Sequence, residues 1–475
     1  MRAPYRKWMA SLVMPGALAM LLGATAALGA AEPDHRAVAI TNVMIVDVDG
    51  GHTVGPRTVL VEDGRIASIG APGAVRIPDS AQRVDGRGRF LIPGLTDMHV
   101  HLFNLSSHRP PNDWSFAMYV ANGVTGVRDM RSDAASILLV KRWRSAVDNG
   151  ELVAPRVLAT GIAVHGKSPG DAAAGVDAAA AAGADFIKVF SDVPSTHWRA
   201  ILAEARSRSL PVVGHVPASV TLLDAANSGQ LTSEHLTQAY EACSSAEGKI
   251  LEERQGLSDD ALMSRASSQE AKVLDTFDQA VCRRMAKALA TTGQVQVPTL
   301  VLADEDSFAQ SADHGDDSRW RLLRPDEQVR WQRFLADYTK EDATLADLRW
   351  PIAHRIVSIM HQAGVPIMAG TDSPMPGVYP GFALHEELQL LVASGLTPLE
   401  ALRAATLEPA RFLHIEDTSG SVAVGKRADL VLLDADPTKD IRNTQRIRAV
   451  MLAGRLLKRS DLDALLNDAA KVKHP

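Results

Sequence analysis

The chain has 475 residues, 46% of them apolar, and its 50 basic against 56 acidic side chains give a formal charge of −6. That length exceeds what one core usually organises and points to two domains, although a barrel with insertions also reaches this size. The mild acidity gives no reason to expect nucleic acid or an anionic membrane as a partner.

The first element is an export signal, predicted over residues 1–31. Arg2, Arg6 and Lys7 precede the apolar stretch MASLVMPGALAMLLGATAALGA, and Gly29, Ala30 and Ala31 offer a cleavage site. An uncleaved anchor is the rival reading, because the stretch approaches the length of a span. Pro15 and the small-residue end favour cleavage. The expectation is an exported protein, periplasmic or secreted, with no membrane partner once the signal is removed. Residues 36–90 then carry the strand-like runs AVAITNVMIVDV and RTVLVEDGRIASIG, broken by DGG and EDG turns, as in a small β-domain. A similar set, ADLVLLDADP and IRAVMLAGRLL, falls within 411–460. Neither half has enough strands to close a core alone.

Between them, over 91–410, strands alternate with helical stretches in the manner of parallel α/β folds. His99 and His101 stand two apart in LTDMHVHL, on one face of a strand, where they can grip one ion together. Lys188 in ADFIKVF, His215 in PVVGHV and His235 in LTSEHL follow in three consecutive strand–helix units, and Asp372 comes later in PIMAGTDSP. Each alone has a plain structural reading: a core histidine, a snorkelling lysine, an aspartate in a turn. The ordered set of six is what points to metal.

The alanine-rich DAAAGVDAAAAAGA fits one helix. After His235 the rhythm breaks. Residues from Tyr240 to Thr291 are polar and helical, and QVPTLVL reads as the next strand. A second extension, Ala303 to Trp350, carries Trp320, Trp331 and Trp350. Both are candidate lid and specificity elements, or else helices packed on the outside. Cys243 and Cys282, both in the first extension, form a candidate disulfide in an oxidising compartment and two buried thiols in a reducing one.

These motifs resemble the amidohydrolase superfamily. The resemblance runs from Val38 to Leu457 and rests on GRFLIPGLTDMHVHL, GADFIKVF, AGTDSP and the tail TPLEALRAATLEPARFL…GSVAVGKRADLVLLDADP. The His-x-His pair with the lysine after the fourth strand is similar to the branch holding prolidase-like dipeptidases and imidazolonepropionase-related enzymes. The resemblance implies an α/β fold: a (β/α)8 TIM barrel with a small flanking β-sandwich domain built from both chain ends. It also implies two divalent metal ions, Zn2+ by donor chemistry with Mn2+ as an alternative. His99, His101 and Asp372 would hold one, His215 and His235 the other, and a carbamate on Lys188 would bridge them. Burial lowers a lysine's pKa and leaves the neutral amine that such chemistry needs.

Two metals sharing a water present hydroxide at neutral pH and polarise a carbonyl. Asp372 would take the proton and pass it to the leaving amine. His165, in the loop GIAVHGKSPG, is expected to polarise the carbonyl or hold substrate, although this loop departs from the family's double-glycine form. Tyr240 and Arg128 are candidates for a substrate carboxylate, the arginine bidentately; packing, or an ion pair with Asp129, is the alternative. His385 reads as a supporting helix residue rather than a ligand. The expected activity is cleavage of a C–N bond in a small molecule, a dipeptide or N-acyl amino acid. Alternatives are a cyclic amide, a lactone or an ochratoxin-like aryl amide, and, in another class, a non-catalytic metal-binding protein. No nucleic-acid partner is expected, and a homo-oligomer is compatible with the sequence.

Overall fold

A computed structural model describes residues 37–103, 110–303 and 317–471; the expected export signal, 1–31, lies outside them. The first strands are β1 (Val38–Asp47), β2 (His52–Glu62), β3 (Arg65–Gly70), β4 (Gln82–Asp85) and β5 (Phe90–Pro93). Next come β6 (Leu95–Val100), β7 (Val124–Ser132), β8 (Arg156–Ala163), β9 (Phe186–Val189), β10 (Val212–Gly214), β11 (Thr232–Glu234) and β12 (Val295–Val297). Near the C-terminal end lie β13 (Leu430–Leu433), β14 (Ile447–Leu452) and β15 (Arg455–Lys458).

Both chain ends build one sheet, in the order β15-β14-β13-β5-β1-β2-β3 with β4 beside β1. Its seam is the antiparallel pair β13–β5, where Leu432 faces Leu91. Alternation along β13 sends Leu430 and Leu432 into a small core with Ile40, Val59, Ile66 and Leu91, and sends Val431 and Leu433 into the large core. Burial on both faces is why this strand reads as an unbroken apolar run. The strands of both chain ends, expected as a small β-sandwich, are joined in one hydrogen-bonded sheet. Ile66 N donates to Lys426 O at 2.9 Å and Ala428 N to Gly64 O at 2.8 Å, which brings the β3 edge to the segment leading into β13. Strand twist and the irregular β1–β2 register let one sheet enclose a small core.

β6 to β10 form a parallel sheet in sequence order, and β11 pairs with β12 in parallel. Isolated parallel bridges link Val212 to Gln230, Gln296 to Ile367 and Val100 to Ser373. The extended segment 366–373 therefore lies between β12 and β6. Gly370 makes this approach feasible: a Cβ there would stand 2.6 Å from Val297 Cγ1 and 2.9 Å from His99 Cβ. Helices Ala134–Asp148, Pro169–Ala182 and Ser195–Ser207 separate β7, β8, β9 and β10. The second of these is the alanine-rich stretch, and Asp133 caps the first by accepting Ser136 N at 2.7 Å. In such parallel units the strand C-termini share one face.

QVPTLVL departs from expectation. The strand ends at Val297, and Leu300–Ala303 is a short helix. Pro298 cannot donate to the ladder, and Glu387 Oε2 instead accepts Val301 N at 2.8 Å. The first extension is closed by a disulfide between Cys243 and Cys282, beside Asp278 N donating to Cys243 O at 2.8 Å. In the second extension Trp331 is fully buried, edge-on to Tyr379 at 4.8 Å, and Arg330 Nη2 donates to Pro374 O at 2.7 Å. This extension thus braces the chain just after Asp372. Among the described residues no helix is long and apolar enough to cross a membrane.

Candidate metal centre

The strand ends bring the six expected residues into one buried neighbourhood. His99 Nε2 lies 3.0 Å and His101 Nε2 2.8 Å from Asp372 Oδ1, and the three residues can each turn one ligand atom to within 4.8 Å of the others. Lys188 Nζ is 3.3 Å from His99 Nε2. The His235 ring lies 4.4 Å from that of His99 and 5.0 Å from that of His215. His235 and Asp372 have φ of +58° and +67°, a left-handed conformation that side chains seldom adopt unless the surroundings impose it. Asp372 N donates to His99 O at 2.7 Å and His235 N to Val297 O at 3.0 Å, which pins both backbones.

Burial sets the charge states. It lowers the pKa of His101 and His215 and takes His235 to about 3, so these imidazoles are neutral with a lone pair to offer. It also lowers Lys188 to about 8, against the pull of Asp372 and Glu234. Burial alone would raise Asp372, but His235, His99 and His101, the last hydrogen-bonded to it, hold its carboxyl well below the usual range.

A further layer orients the rings. Glu234 Oε2 meets His99 Nδ1 at 2.9 Å, Ser191 Oγ meets His215 Nδ1 at 3.1 Å, and Thr299 Oγ1 meets His235 Nδ1 at 2.7 Å. With each Nδ1 engaged, each Nε2 is the nitrogen left for an ion, the usual arrangement of ligating histidines. Asp97 Oδ1 accepts His99 N and Thr371 N, both at 3.1 Å, and so stitches β6 to segment 366–373. Glu234 escaped the sequence reading, yet it directly precedes His235 in a strand with no other charge. A carboxylate in a buried strand must have a partner, and that was the legible signal.

The weaker candidates fare differently. Arg128 is not at a substrate surface and does not pair with Asp129. It is fully buried, donating through Nη2 to Glu234 Oε1 at 2.9 Å and Oε2 at 3.1 Å, and through Nε to Met98 O at 2.6 Å. The reason is strand alternation: Arg128 faces inward, where its charge is matched by a buried glutamate. Burial would raise Glu234, but Arg128 and His99 hold it at about 2. His165 lies on the rim, its Nε2 2.9 Å from Asp192 Oδ1 and its ring stacked on Phe190 at 5.4 Å. Tyr240 is half-buried against the large core on helix Ala239–Ala242. Burial raises its phenol pKa, with Arg349 opposing and Glu270 adding to the rise. His385 is a tie between elements, its Nδ1 2.9 Å from Thr444 Oγ1 and its Nε2 3.0 Å from Asn122 O.

Residues 90–457 match the model of the Amidohydrolase family. The chain belongs to the amidohydrolase family. This is a family of hydrolases acting on carbon–nitrogen bonds. The amidohydrolase chain is 25% identical over 410 residues to imidazolonepropionase of Ralstonia nicotianae, covering 84% of this chain and 91% of that protein. A local likeness, 34% over 76 residues, joins it to a deacetylase of Agrobacterium fabrum, of which it spans only 18%. With dihydroorotase of Anaeromyxobacter it shares 35% over 65 residues and spans 14% of that protein. Among solved structures, a bottromycin amidohydrolase superposes with a TM-score of 0.71 at 23% identity, covering 92% of each chain. A Xaa-Pro dipeptidase with bound methionine superposes with a TM-score of 0.63 at 18% identity, covering 89% of this chain and 100% of that one. These likenesses support a TIM-barrel-like α/β fold.

Proposed function

We propose that this amidohydrolase is an exported, binuclear metal-dependent hydrolase that cleaves the amide bond of a dipeptide or N-acyl amino acid. The observation that carries the proposal is the convergence of His99, His101, Lys188, His215, His235 and Asp372 in one buried neighbourhood, with an outer partner on the Nδ1 of three of the histidines. We read the three bridges around β10, β11, β12 and segment 366–373 as closing an eight-strand (β/α)8 barrel, with the curled sheet of both chain ends as its flanking domain.

The donor set suits a pair of zinc or manganese ions: neutral imidazoles, one ionised carboxylate and a lysine whose pKa burial lowers to about 8. His99, His101 and Asp372 would hold one ion, and His215 and His235 the other. With its pKa lowered to about 8, Lys188 keeps a fraction of neutral amine that could add to carbon dioxide, forming an N–C bond and releasing a proton, and the resulting carbamate would offer an anionic ligand to both ions. Bound ions of this kind lower the pKa of water and polarise a carbonyl oxygen. Asp372, ionised at neutral pH, takes the proton of the attacking water on its carboxylate and returns it to the departing nitrogen. Glu234 and Asp97 keep His99 aimed while this happens. The near-full-length likeness to imidazolonepropionase supports hydrolysis of a C–N bond, and the Xaa-Pro dipeptidase fold supports a substrate that releases an amino acid.

The test is a panel of dipeptides and N-acyl amino acids presented to protein reconstituted with zinc or manganese, with metal content measured alongside. Asp372→Asn is expected to lose at least about 100-fold in rate while retaining much of its metal. Near-normal turnover in that variant removes Asp372 as the proton carrier, and a protein binding fewer than two ions per chain removes the binuclear reading.

A further inference from the structure

The arginine that reaches the mouth of the site is Arg131, three residues beyond the buried Arg128. β7 and β8 slip register between Asp129 and Ser132: Asp129 faces Thr160 and Ser132 faces Ile162, so β7 spends one residue more than its neighbour. A bulge of this kind re-aims a side chain. Arg131 is half-buried, and its guanidinium carbon stands 5.4 Å from the centre of the Phe190 ring. The same ring lies 4.8 Å from Lys188 Nζ, 5.1 Å from the His215 ring and 5.4 Å from the His165 ring. Phe190 is thus the shared wall between the candidate metal ligands and a cation at the rim.

We propose that Arg131 binds the carboxylate of the substrate's amino-acid portion, with Phe190 holding its guanidinium plane. This rests on the hydrolase reading above and names the group that the site recognises. The Arg131 guanidinium makes no hydrogen bond or ion pair with any other described residue. Asp192 is the carboxylate whose charge it feels, but Asp192 Oδ1 is taken by His165 Nε2 at 2.9 Å. A guanidinium stacked on an aromatic ring keeps its planar fork free for a bidentate anion. A carboxylate meets that geometry, and a neutral carboxamide or alcohol does not. The same residue also explains how a site whose expected arginine, Arg128, is consumed by Glu234 can hold an anionic amino acid.

Two measurements on the metal-loaded protein test this. The first compares kcat/KM for N-acetyl-L-methionine and N-acetyl-L-methioninamide in wild type, Arg131→Met and Arg131→Lys. A charge-assisted pair is worth about 10- to 100-fold in affinity, so Arg131→Met should raise KM for the acid by that factor and collapse the acid-over-amide preference. Arg131→Lys should recover part of it. The second is calorimetric binding of L-methionine against L-methioninol, which differ only at the carboxylate and need no turnover. Wild type should prefer methionine by at least about 10-fold, and Arg131→Met should bind the two alike. Equal affinity of wild type for both ligands, or an undiminished preference in Arg131→Met with unchanged metal content and melting temperature, overturns the assignment. Turnover of neither amide by wild type, with methionine still preferred in binding, would count against the hydrolase reading and leave Arg131 as the carboxylate site.

Discussion

Arg128 and Arg131 show how much a single position along a strand changes a residue's task. Arg128 faces inward and must be matched by Glu234, so the two behave as one buried pair on which His99 depends. Glu234→Gln is expected to leave the guanidinium uncompensated and cost about 3 kcal/mol or more in stability, measured by denaturant unfolding. The same change frees His99 Nδ1 from its carboxylate and should weaken metal binding about 10- to 100-fold, measured by competition with a chelator. Lys188 tests the shared-anion reading most directly. Lys188→Ala is expected to lose metal and activity together, and Lys188→Arg should fail as well, since a guanidinium keeps its charge and cannot form the carbamate. Two ions per chain with substantial turnover in Lys188→Ala would end that role.

Elements carry a different set of consequences. The disulfide closes the first extension, pinning the end of helix Ala239–Ala242 to helix Gln279–Ala290 across 39 residues. Cross-linking a loop of that length contributes roughly 3–4 kcal/mol in the chain-entropy model. Cys243→Ser with Cys282→Ser should therefore lower the unfolding free energy by about that amount while the metal content stays the same. The short helix Leu300–Ala303 depends on Glu387, whose carboxyl is fully buried and accepts Val301 N. Burial pushes Glu387 up from 4.5 to about 8. The folded state thus holds this proton more tightly than the unfolded chain. Its contribution is fully present below pH 4.5 and is lost as pH rises through about 8. Glu387→Gln should remove that fall. Plotted as wild type minus variant, unfolding free energy should decline across this window and be flat on either side of it; a flat difference throughout would show that Glu387 is ionised in the fold.

At the scale of the whole molecule, the two chain ends are one structural unit, because β13 fills the place between β5 and β14 and feeds both the small core and the large one. A chain ending at Asp429 should lose cooperative melting rather than shed a dispensable tail, and a sharp thermal transition in that truncated protein would show otherwise. The alternation of strands and helices, the His-x-His pair two residues apart and the four later ligand candidates were legible in the sequence, because side-chain period and strand ends are local properties. So were the cysteine pair and the helix in the alanine-rich stretch. That Glu234 needs a partner was legible, but that the partner is Arg128, the bulge that re-aims Arg131, and the break of QVPTLVL into a strand and a helix were not. Each depends on which residue of a distant strand lies opposite, and sequence spacing along one strand says nothing about its neighbour's register. Composition and periodicity determined which elements form and which residues have metal chemistry; only the tertiary structure decided which charges are consumed in pairs and which is left without a partner, because burial and pairing are set by contacts between segments far apart in the chain.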